Sequence, residues 1–173
     1  MAWPRPQSRS GVVLGIYDRG DGDEGVLVSK VFRMYARYAE AQGWSMTPVA
    51  GRTSLGEPLP AAALFIRGEG AFRKLQYESG IHRLQWVPPT ELEGRVSTGR
   101  VVVAVAAERR DLEENGGNLL SAGTIRTYNL PLDRVTDHRI PLMTPPQCGL
   151  VMDGGLDPII RALLAQFDGG ELA

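Results

Sequence analysis

Residues Gly99 to Ala107 read GRVVVAVAA. Three consecutive valines and a fourth at Val105, with no polar residue after Arg100, do not alternate as a strand with one wet face would. A short continuous run of β-branched side chains instead suits a strand covered on both sides. Such a strand needs a sheet around it and material on each face, and the flanking sequence supplies both. Upstream, Gly11–Tyr17 (GVVLGIY) is a second apolar strand. The turn RGDGDEG follows, in which Asp21 or Asp23 is expected to cap a helix with Glu24 in its first turn. Leu27, Val31, Met34, Tyr35 and Tyr38 recur at spacings of three and four, which predicts an amphipathic helix to about Gln42, stopped by Gly43. Residues 44–50 and 61–67 read as strands around a Gly/Pro loop, Glu69–Leu75 as a short helix, and Leu84–Val87 as a strand ended by Pro88-Pro89. Downstream, the polar stretch ERRDLEENGGNLLSAG is a loop, and Ile125–Leu130 is a strand. Asp157-Pro158 opens a final helix whose apolar face is Ile159, Ile160, Leu163 and Leu164. Together these elements make an α+β fold: a mixed or antiparallel sheet with one long packed helix and a short C-terminal helix.

The 173 residues are 43% apolar and 23% charged, which suits a folded core rather than disorder. Residues 1–10 contain arginines but no apolar stretch after them, so they read as a flexible lead-in rather than a secretory signal, and the domain is taken as 11–173. No apolar run approaches a membrane span, so no membrane partner is expected. The single Cys148 cannot form an internal disulfide, which fits a cytoplasmic location. His82 and His138 lie far apart in the chain, and the Gly/Asp run lacks the alternating acidic ligands of a calcium loop, so no metal or cofactor is expected. The net charge of -1 rules out a broadly cationic surface. Any RNA contact must come from a local patch, for which Arg67, Arg73, Lys74, His82, Arg83, Arg95 and Arg100 are the candidates; the same residues also fit solvated surface charges.

Four stretches, in order, resemble class I peptide chain release factors of the bacterial type. GIYDRGDGDEG with VFRMYARYAEAQGW resembles the acidic turn and long helix that open the family's second domain. ESGIHRLQWVPPTELEGRVST, Glu78 to Thr98, resembles its stop-codon-reading strand and loop. RTYNLPLDRVTDHRI, Arg126 to Ile140, resembles a family signature, although a purely structural role suits it too, with Tyr128 in the core and Arg134, Asp137 and Arg139 in surface pairs. VMDGGLDPIIRALLAQF resembles the C-terminal helix. The resemblance implies the fold of the family's codon-recognition superdomain, the second and fourth domains. It implies codon or mRNA contacts from Glu24, Gln85, Pro88, Pro89, Thr90, Ser97 and Thr98, and rRNA contacts from Arg73, Lys74, Arg83, Arg95 and Arg100. The implied partner is the ribosome at the small-subunit decoding centre, with rRNA and mRNA, and a separate hydrolase or rescue factor as a further candidate.

Three departures argue against strict stop-codon reading. Ser97 stands where the family has a histidine that stacks on a base, Asp21 stands where it has a glycine, and Trp86 replaces a basic residue. The resemblance starts near Val12, so the family's helical N-terminal domain is expected to be missing. The family's third domain, which carries the hydrolytic Gly-Gly-Gln loop, would fall where residues 107–125 lie. Those residues read as a short connector that replaces it. Going out and back, about 20 residues reach roughly 35 Å at about 3.5 Å per residue, with no scaffold of their own. Gly116-Gly117-Asn118 therefore reads as a turn rather than a catalytic loop. The expectation is a non-catalytic ribosome-binding protein. The alternatives are a release-factor half that works with a separate hydrolase, and an RNA-binding or interaction module that acts away from ribosomes.

Overall fold

The valine run lies in the middle of a sheet and is buried on both sides, as its composition requires: Val101, Val102 and Val103 are each 0% exposed. The computed structural model describes residues 11–19, 25–48, 62–108, 111–112, 119 and 122–168. Among these, the chain runs β1 (Gly11–Asp18), α1 (Val26–Ala41), β2 (Ser45–Pro48), β3 (Ala62–Arg67), α2 (Ala71–Leu75), a 3-10 turn (Gln76–Glu78), β4 (Gly80–Trp86), β5 (Ser97–Ala106), β6 (Thr124–Asn129), β7 (Arg134–Asp137), α3 (Cys148–Met152) and α4 (Asp157–Phe167). The strands form one seven-stranded sheet in the order β2-β3-β1-β5-β4-β6-β7. Every pairing is antiparallel except β4 with β6, which makes the sheet mixed.

The register fixes where the loops emerge. Gly80 pairs with Val103 and Trp86 with Ser97, so the β4–β5 hairpin tip lies at one end of the sheet. β6 begins beside the start of β4, with Thr124 opposite Ile81. The connector from β5 to β6 therefore leaves and returns at the other end.

The two faces are covered differently. One packs Val12, Leu14 and Ile16 of β1, Val101, Val103 and Val105 of β5, and Tyr128 of β6 against α1 and α4. The expected stripes meet here: Leu27, Val31, Met34, Tyr35 and Tyr38 of α1, and Ile159, Ile160, Leu163 and Leu164 of α4. On the opposite face, Val13, Tyr17, Ile81, Val102, Ala104 and Ala106 gather around Leu112 of the connector. Gly15 makes that approach feasible, because a Cβ there would stand 2.8 Å from Leu112 Cδ2. The Tyr17 hydroxyl donates to the Leu112 carbonyl at 3.3 Å. Burying a leucine is worth roughly 1.5–3 kcal/mol, so this part of the connector is held down onto the sheet.

Several boundaries differ from expectation. Gly25, in the left-handed region at φ 88, takes the cap position of α1, so no Asp stands there and Glu24 precedes the helix. Asp21, Asp23 and Glu24 lie outside the described residues, as do residues 1–10, 49–50 and Gly116-Gly117-Asn118. The far end of α1 closes as the sequence implies. Gly43 has φ 73, and Trp44 N–H donates to Ala39 O while Gly43 N–H donates to Glu40 O, both at 3.0 Å. β4 starts at Gly80 rather than Leu84, because buried partners allow the polar His82 to lie inside a strand. β7 and α3 are short and carry little apolar pattern, with only Val135, Cys148 and Val151 as buried hydrophobic side chains.

Gly154, in the turn before α4, has φ 103, and a Cβ there would meet the backbone of Arg37 and Tyr38 at 2.8 Å. Backbone cannot rotate away as a side chain can. Gly154→Ala is expected to destabilise the fold by about 1–3 kcal/mol, read as a lower urea midpoint. An unchanged midpoint would mean that the turn is not seated tightly on α1.

Candidate functional site

A chain of charged and polar groups crosses the helix-covered side of the sheet, its centre sealed from water. Arg126 on β6 points inward and is 0% exposed. It reaches Glu78, at the end of the 3-10 turn, through two parallel bonds: Nη1 to Oε2 at 2.6 Å and Nη2 to Oε1 at 2.8 Å. Its Nε donates to Asp137 Oδ2 on β7 at 3.0 Å. Arg139 donates to the same Asp137, through Nε to Oδ1 at 3.0 Å and Nη2 to Oδ2 at 2.8 Å, and also to the carbonyl of Tyr77. Tyr35 of α1 donates its hydroxyl to Glu78 Oε2 at 2.7 Å. Asp137 and Arg139 are thus not a surface pair. The inward cation at Arg126 draws Asp137 into the interior, and Arg139 neutralises the carboxylate from the other side. Arg134 is exposed and Tyr128 is core, as the structural reading of this segment expects.

With His82 neutral, the protons in this network have a consistent arrangement. The Glu78 carbonyl can only accept, so His82 Nε2 donates to it at 2.8 Å. In the neutral ring, His82 Nδ1 then accepts from the Tyr128 hydroxyl, also at 2.8 Å. Tyr128 accepts in turn from Arg126 Nη1 at 3.1 Å. Its surroundings keep the His82 ring neutral at ordinary pH. Burial, and then the Arg126 cation, push its pKa down to about 4 against the opposing pull of Glu78. Burial alone would raise Glu78, but the Arg126 charge and its hydrogen bonds outweigh that and hold the carboxyl below its ordinary value. Among the described residues no buried side-chain nitrogen or oxygen lacks a partner. A network whose centre, Arg126 and Glu78, is fully buried gives a substrate no access there, so its role is to tie α1, the 3-10 turn, β4, β6 and β7 together.

The accessible polar groups are on the other face. Alternation along β4 and β5 places Arg83, Gln85, Thr98 and Arg100 on the same side as Ile81 and Val102, beyond the part that Leu112 covers. Gln85 stands opposite Thr98 and Arg83 opposite Arg100. Asn129 Nδ2 donates to Gln85 Oε1 at 3.1 Å. The face is thus divided into an apolar half under the connector and an open polar half toward the hairpin. Pro88, Pro89 and Thr90 continue from β4 into the hairpin, where Glu91 N–H closes a turn onto Pro88 O at 3.0 Å. Among the described residues no group of three His, Cys, Asp or Glu side chains is placed to hold a metal ion, and no helix is long and apolar enough to cross a membrane.

The codon-contact candidates are partly brought together. Gln85, Thr98 and the Pro88–Thr90 turn share one end of the sheet. Ser97 projects to the opposite face, paired with Trp86, whose ring packs against the helix-side core. The first turn of α1 stands over this spot, because a Cβ on Gly99 would lie 2.3 Å from Leu27 Cδ1. Glu24 lies outside the described residues.

The cations expected to form one patch are scattered, and Arg67 stands apart from the others, exposed at the end of β3 with its guanidinium 5.3 Å from the centre of the Phe65 ring. Arg83 and Arg100 share the open face. Arg95 is on the exposed hairpin, paired with Glu93. Arg73 and Lys74 are on α2, on the helix side, where Arg73 meets Asp168 at 3.4 Å and Lys74 donates to Gln42 at 2.6 Å. His82 belongs to the buried network and is not a surface charge. Sequence reasoning missed Glu78 and the inward side chain of Arg126. The available signal was the two-residue spacing of Arg126 and Tyr128, which puts a charge on the same strand face as a core aromatic.

Comparison with known proteins gives one consistent picture. The PCRF domain family matches residues 3–103. Peptide chain release factor 1 of Caldicellulosiruptor saccharolyticus is 29% identical over 244 positions, covering 94% of this chain and 68% of that protein. The protein of the same name from Acidobacterium capsulatum is 29% identical over 250 positions, covering 96% and 69%. Both spans exceed the 173 residues available, so each relative carries internal positions with no counterpart here. Over 110 residues, 62% of this chain and 30% of the relative, identity to peptide chain release factor 1 of Clostridium botulinum is 43%. Among solved structures, RF2 of Thermus thermophilus has the same fold, with a TM-score of 0.70 at 20% identity over 95% of this chain and 70% of that one.

The buried network yields two predictions. Arg126→Met leaves Glu78 and Asp137 without their buried cation and is expected to cost about 3–5 kcal/mol, measured by urea unfolding; a loss under about 1 kcal/mol would contradict the network's structural role. For His82, an unfolded imidazole titrates near 6.5, so below that pH the unfolded chain binds a proton that the folded chain refuses down to about 4. Stability should fall as pH drops through this window, by at most roughly 3 kcal/mol. Glu78 and Asp137, held low, begin to lose their contribution as pH falls through the ordinary carboxylate range at about 4 and lose it fully only below their folded values. In His82→Gln the slope between about pH 6.5 and 4.5 should flatten, and a slope equal to the wild type would assign it to other groups.

Proposed function

The chain belongs to the class I peptide chain release factor family, and from this we propose that it binds the decoding site of the small ribosomal subunit and modulates termination or rescue without hydrolysing peptidyl-tRNA itself. The observation that carries this reading is the β4–β5 hairpin. Gln85 and Thr98 face each other across it, and Pro88, Pro89 and Thr90 extend from it, at the end of the sheet opposite the connector. A rigid strand pair that presents two hydrogen-bonding side chains and an exposed Pro-Pro-Thr turn is suited to contact a nucleic-acid strand in a cleft. Residues 11–173 act as the codon-recognition superdomain, and residues 107–125 act as a connector in place of the hydrolytic domain. Leu112 supports that reading, since it seats the connector on the sheet rather than directing it outward. In this reading Arg83, Arg95, Arg100, Arg73 and Lys74 contact rRNA from separate surfaces, which matches a net charge of only -1.

Discrimination between codons is expected to be weak. A base stack is worth about 1–3 kcal/mol, and Ser97 has no ring with which to make one. Asp21 adds a like charge against RNA phosphates.

Co-sedimentation with small subunits at low salt should show binding that weakens as salt rises. The affinity should be similar for subunits programmed with stop and sense codons, and no peptidyl-tRNA release should be detected. Absence of binding at low salt would overturn the ribosomal role. Release activity abolished by Asn118→Ala would overturn the non-catalytic one.

A further inference from the structure

The side-chain amide of Gln85 has a fixed direction. Gln85 on β4 stands beside Asn129 on β6, and both side chains project to the open face. The backbone N–H of Leu132 donates to Asn129 Oδ1 at 3.0 Å. A backbone N–H can only donate, so the end of Asn129 that meets it is the carbonyl oxygen, and the other end is the NH2 group. Asn129 Nδ2 donates to Gln85 Oε1 at 3.1 Å. An NH2 group cannot accept, so Gln85 turns its oxygen toward Asn129 and its own NH2 away from it. Among the described residues that outward Nε2 has no protein acceptor.

The arrangement is anchored behind the face. Asn129 pairs with Arg134 across the β6–β7 hairpin. The turn between them is closed by Asp133 N–H on Leu130 O at 3.1 Å, and Asp133 Oδ1 accepts from the N–H of Gly149 on α3 at 2.8 Å. Leu130 N–H donates to the backbone carbonyl of Gln85 at 3.0 Å. Leu132 N–H is thus held where it meets the oxygen of Asn129. Reversing Gln85 alone would set two NH2 groups against each other.

We propose that Asn129 is a positioning residue that sets a base preference. It holds Gln85 as a hydrogen-bond donor, so the nucleobase that Gln85 meets is one with a keto oxygen, guanine or uracil, rather than one with an amino group there, adenine or cytosine. Thr98 stands opposite Gln85 on β5, and its hydroxyl can donate or accept, so it adapts to either class and does not choose. The choice falls on Gln85, because an amino group would meet its NH2 donor to donor and leave both unpaired. This inference rests on the proposed binding at the decoding site and adds a direction of preference that a freely turning Gln85 would not have. The preference is for a base type at one position, and it leaves stop and sense codons as classes undistinguished.

Two measurements on the whole chain test it. In side-chain amide NMR without RNA, the hydrogen-bonded proton of Asn129 should exchange with solvent more slowly than either proton of Gln85. Asn129→Asp keeps the oxygen that Leu132 N–H needs but replaces the NH2 with a second acceptor, so Gln85 should turn over and its own amide should become the slow one. The second measurement is binding to small subunits carrying messages that differ by guanine or adenine at one codon position, each position in turn. The wild type should favour guanine about fivefold or more at the position that Gln85 meets, and Asn129→Asp should reverse the ratio. Gln85→Glu leaves an oxygen outward whatever Asn129 does, so it should reverse the ratio too, and it provides the same test if Asn129→Asp folds poorly. Both variants add a negative charge that weakens binding to every message, so the ratio is read rather than the affinity.

A ratio near one in the wild type, or one that the variants leave unchanged, would sink the base preference. A slowly exchanging Gln85 amide in the wild type would overturn the orientation. Failure of the wild type to bind subunits at all would overturn the ribosomal reading and the base preference with it, while the exchange rates in Asn129→Asp would still decide whether Asn129 orients Gln85.

Discussion

Arg126 carries a full positive charge where no water reaches it, and much of the surrounding structure is arranged around that fact. A buried guanidinium is tolerable only if carboxylates meet it at short range and every remaining donor is used. Glu78 supplies the bidentate contact and Asp137 the third bond, while Arg139, Tyr35, Tyr128 and His82 complete the pattern. These residues come from α1, the 3-10 turn before β4, β4, β6, β7 and the segment after it. β6 is therefore locked beside β4, in the one parallel pairing of the sheet among the described residues. An apolar core at this spot could tolerate a slip of two residues, which keeps the same side chains on the core face. A charge network cannot, because any slip leaves a buried ion unpaired.

With one face committed to the helices, the other is divided by length. Leu112 of the connector from β5 to β6 covers Val13, Val102 and Ala104. Toward the hairpin the side chains change from valine and alanine to Arg100 and Thr98 on β5, and from Ile81 to Arg83 and Gln85 on β4. The same strands are thus core at one end and a hydrogen-bonding surface at the other. This polarity puts Arg83, Gln85, Thr98 and Arg100 on paired strands, where their spacing is set by strand register rather than by loop conformation.

The elements that patterning revealed are those in which burial alone decides the conformation. GRVVVAVAA announced a strand covered on both faces, and the three-and-four spacing of Leu27, Val31, Met34, Tyr35 and Tyr38 announced α1. Gly43 marked that helix's end because its left-handed φ is readable from residue type. β7 and α3 were not readable, since four or five residues with one or two buried side chains carry no period. The family was legible through Glu78–Thr98 and Arg126–Ile140, and so was the cluster of Gln85, Thr98 and Thr90 on one hairpin. The grouping of the cations was not legible. Arg73, Lys74, Arg83 and Arg100 are near one another in the chain, but the helix in α2 and the strand alternation in β4 and β5 send them to opposite sides of the sheet.

By itself the sequence determined the α+β class, the long helix, the central strand and the likeness to release factors, because each rests on local pattern or on residues read in order. Only the tertiary structure decided that Glu78, His82, Arg126 and Asp137 are interior, that Leu112 holds the connector down, and that Arg83 faces Arg100 on the neighbouring strand. These are relations between residues far apart in the chain. Whether a charge is buried or solvated depends on the partner that meets it, and strand register, which residue order alone does not specify, chooses that partner.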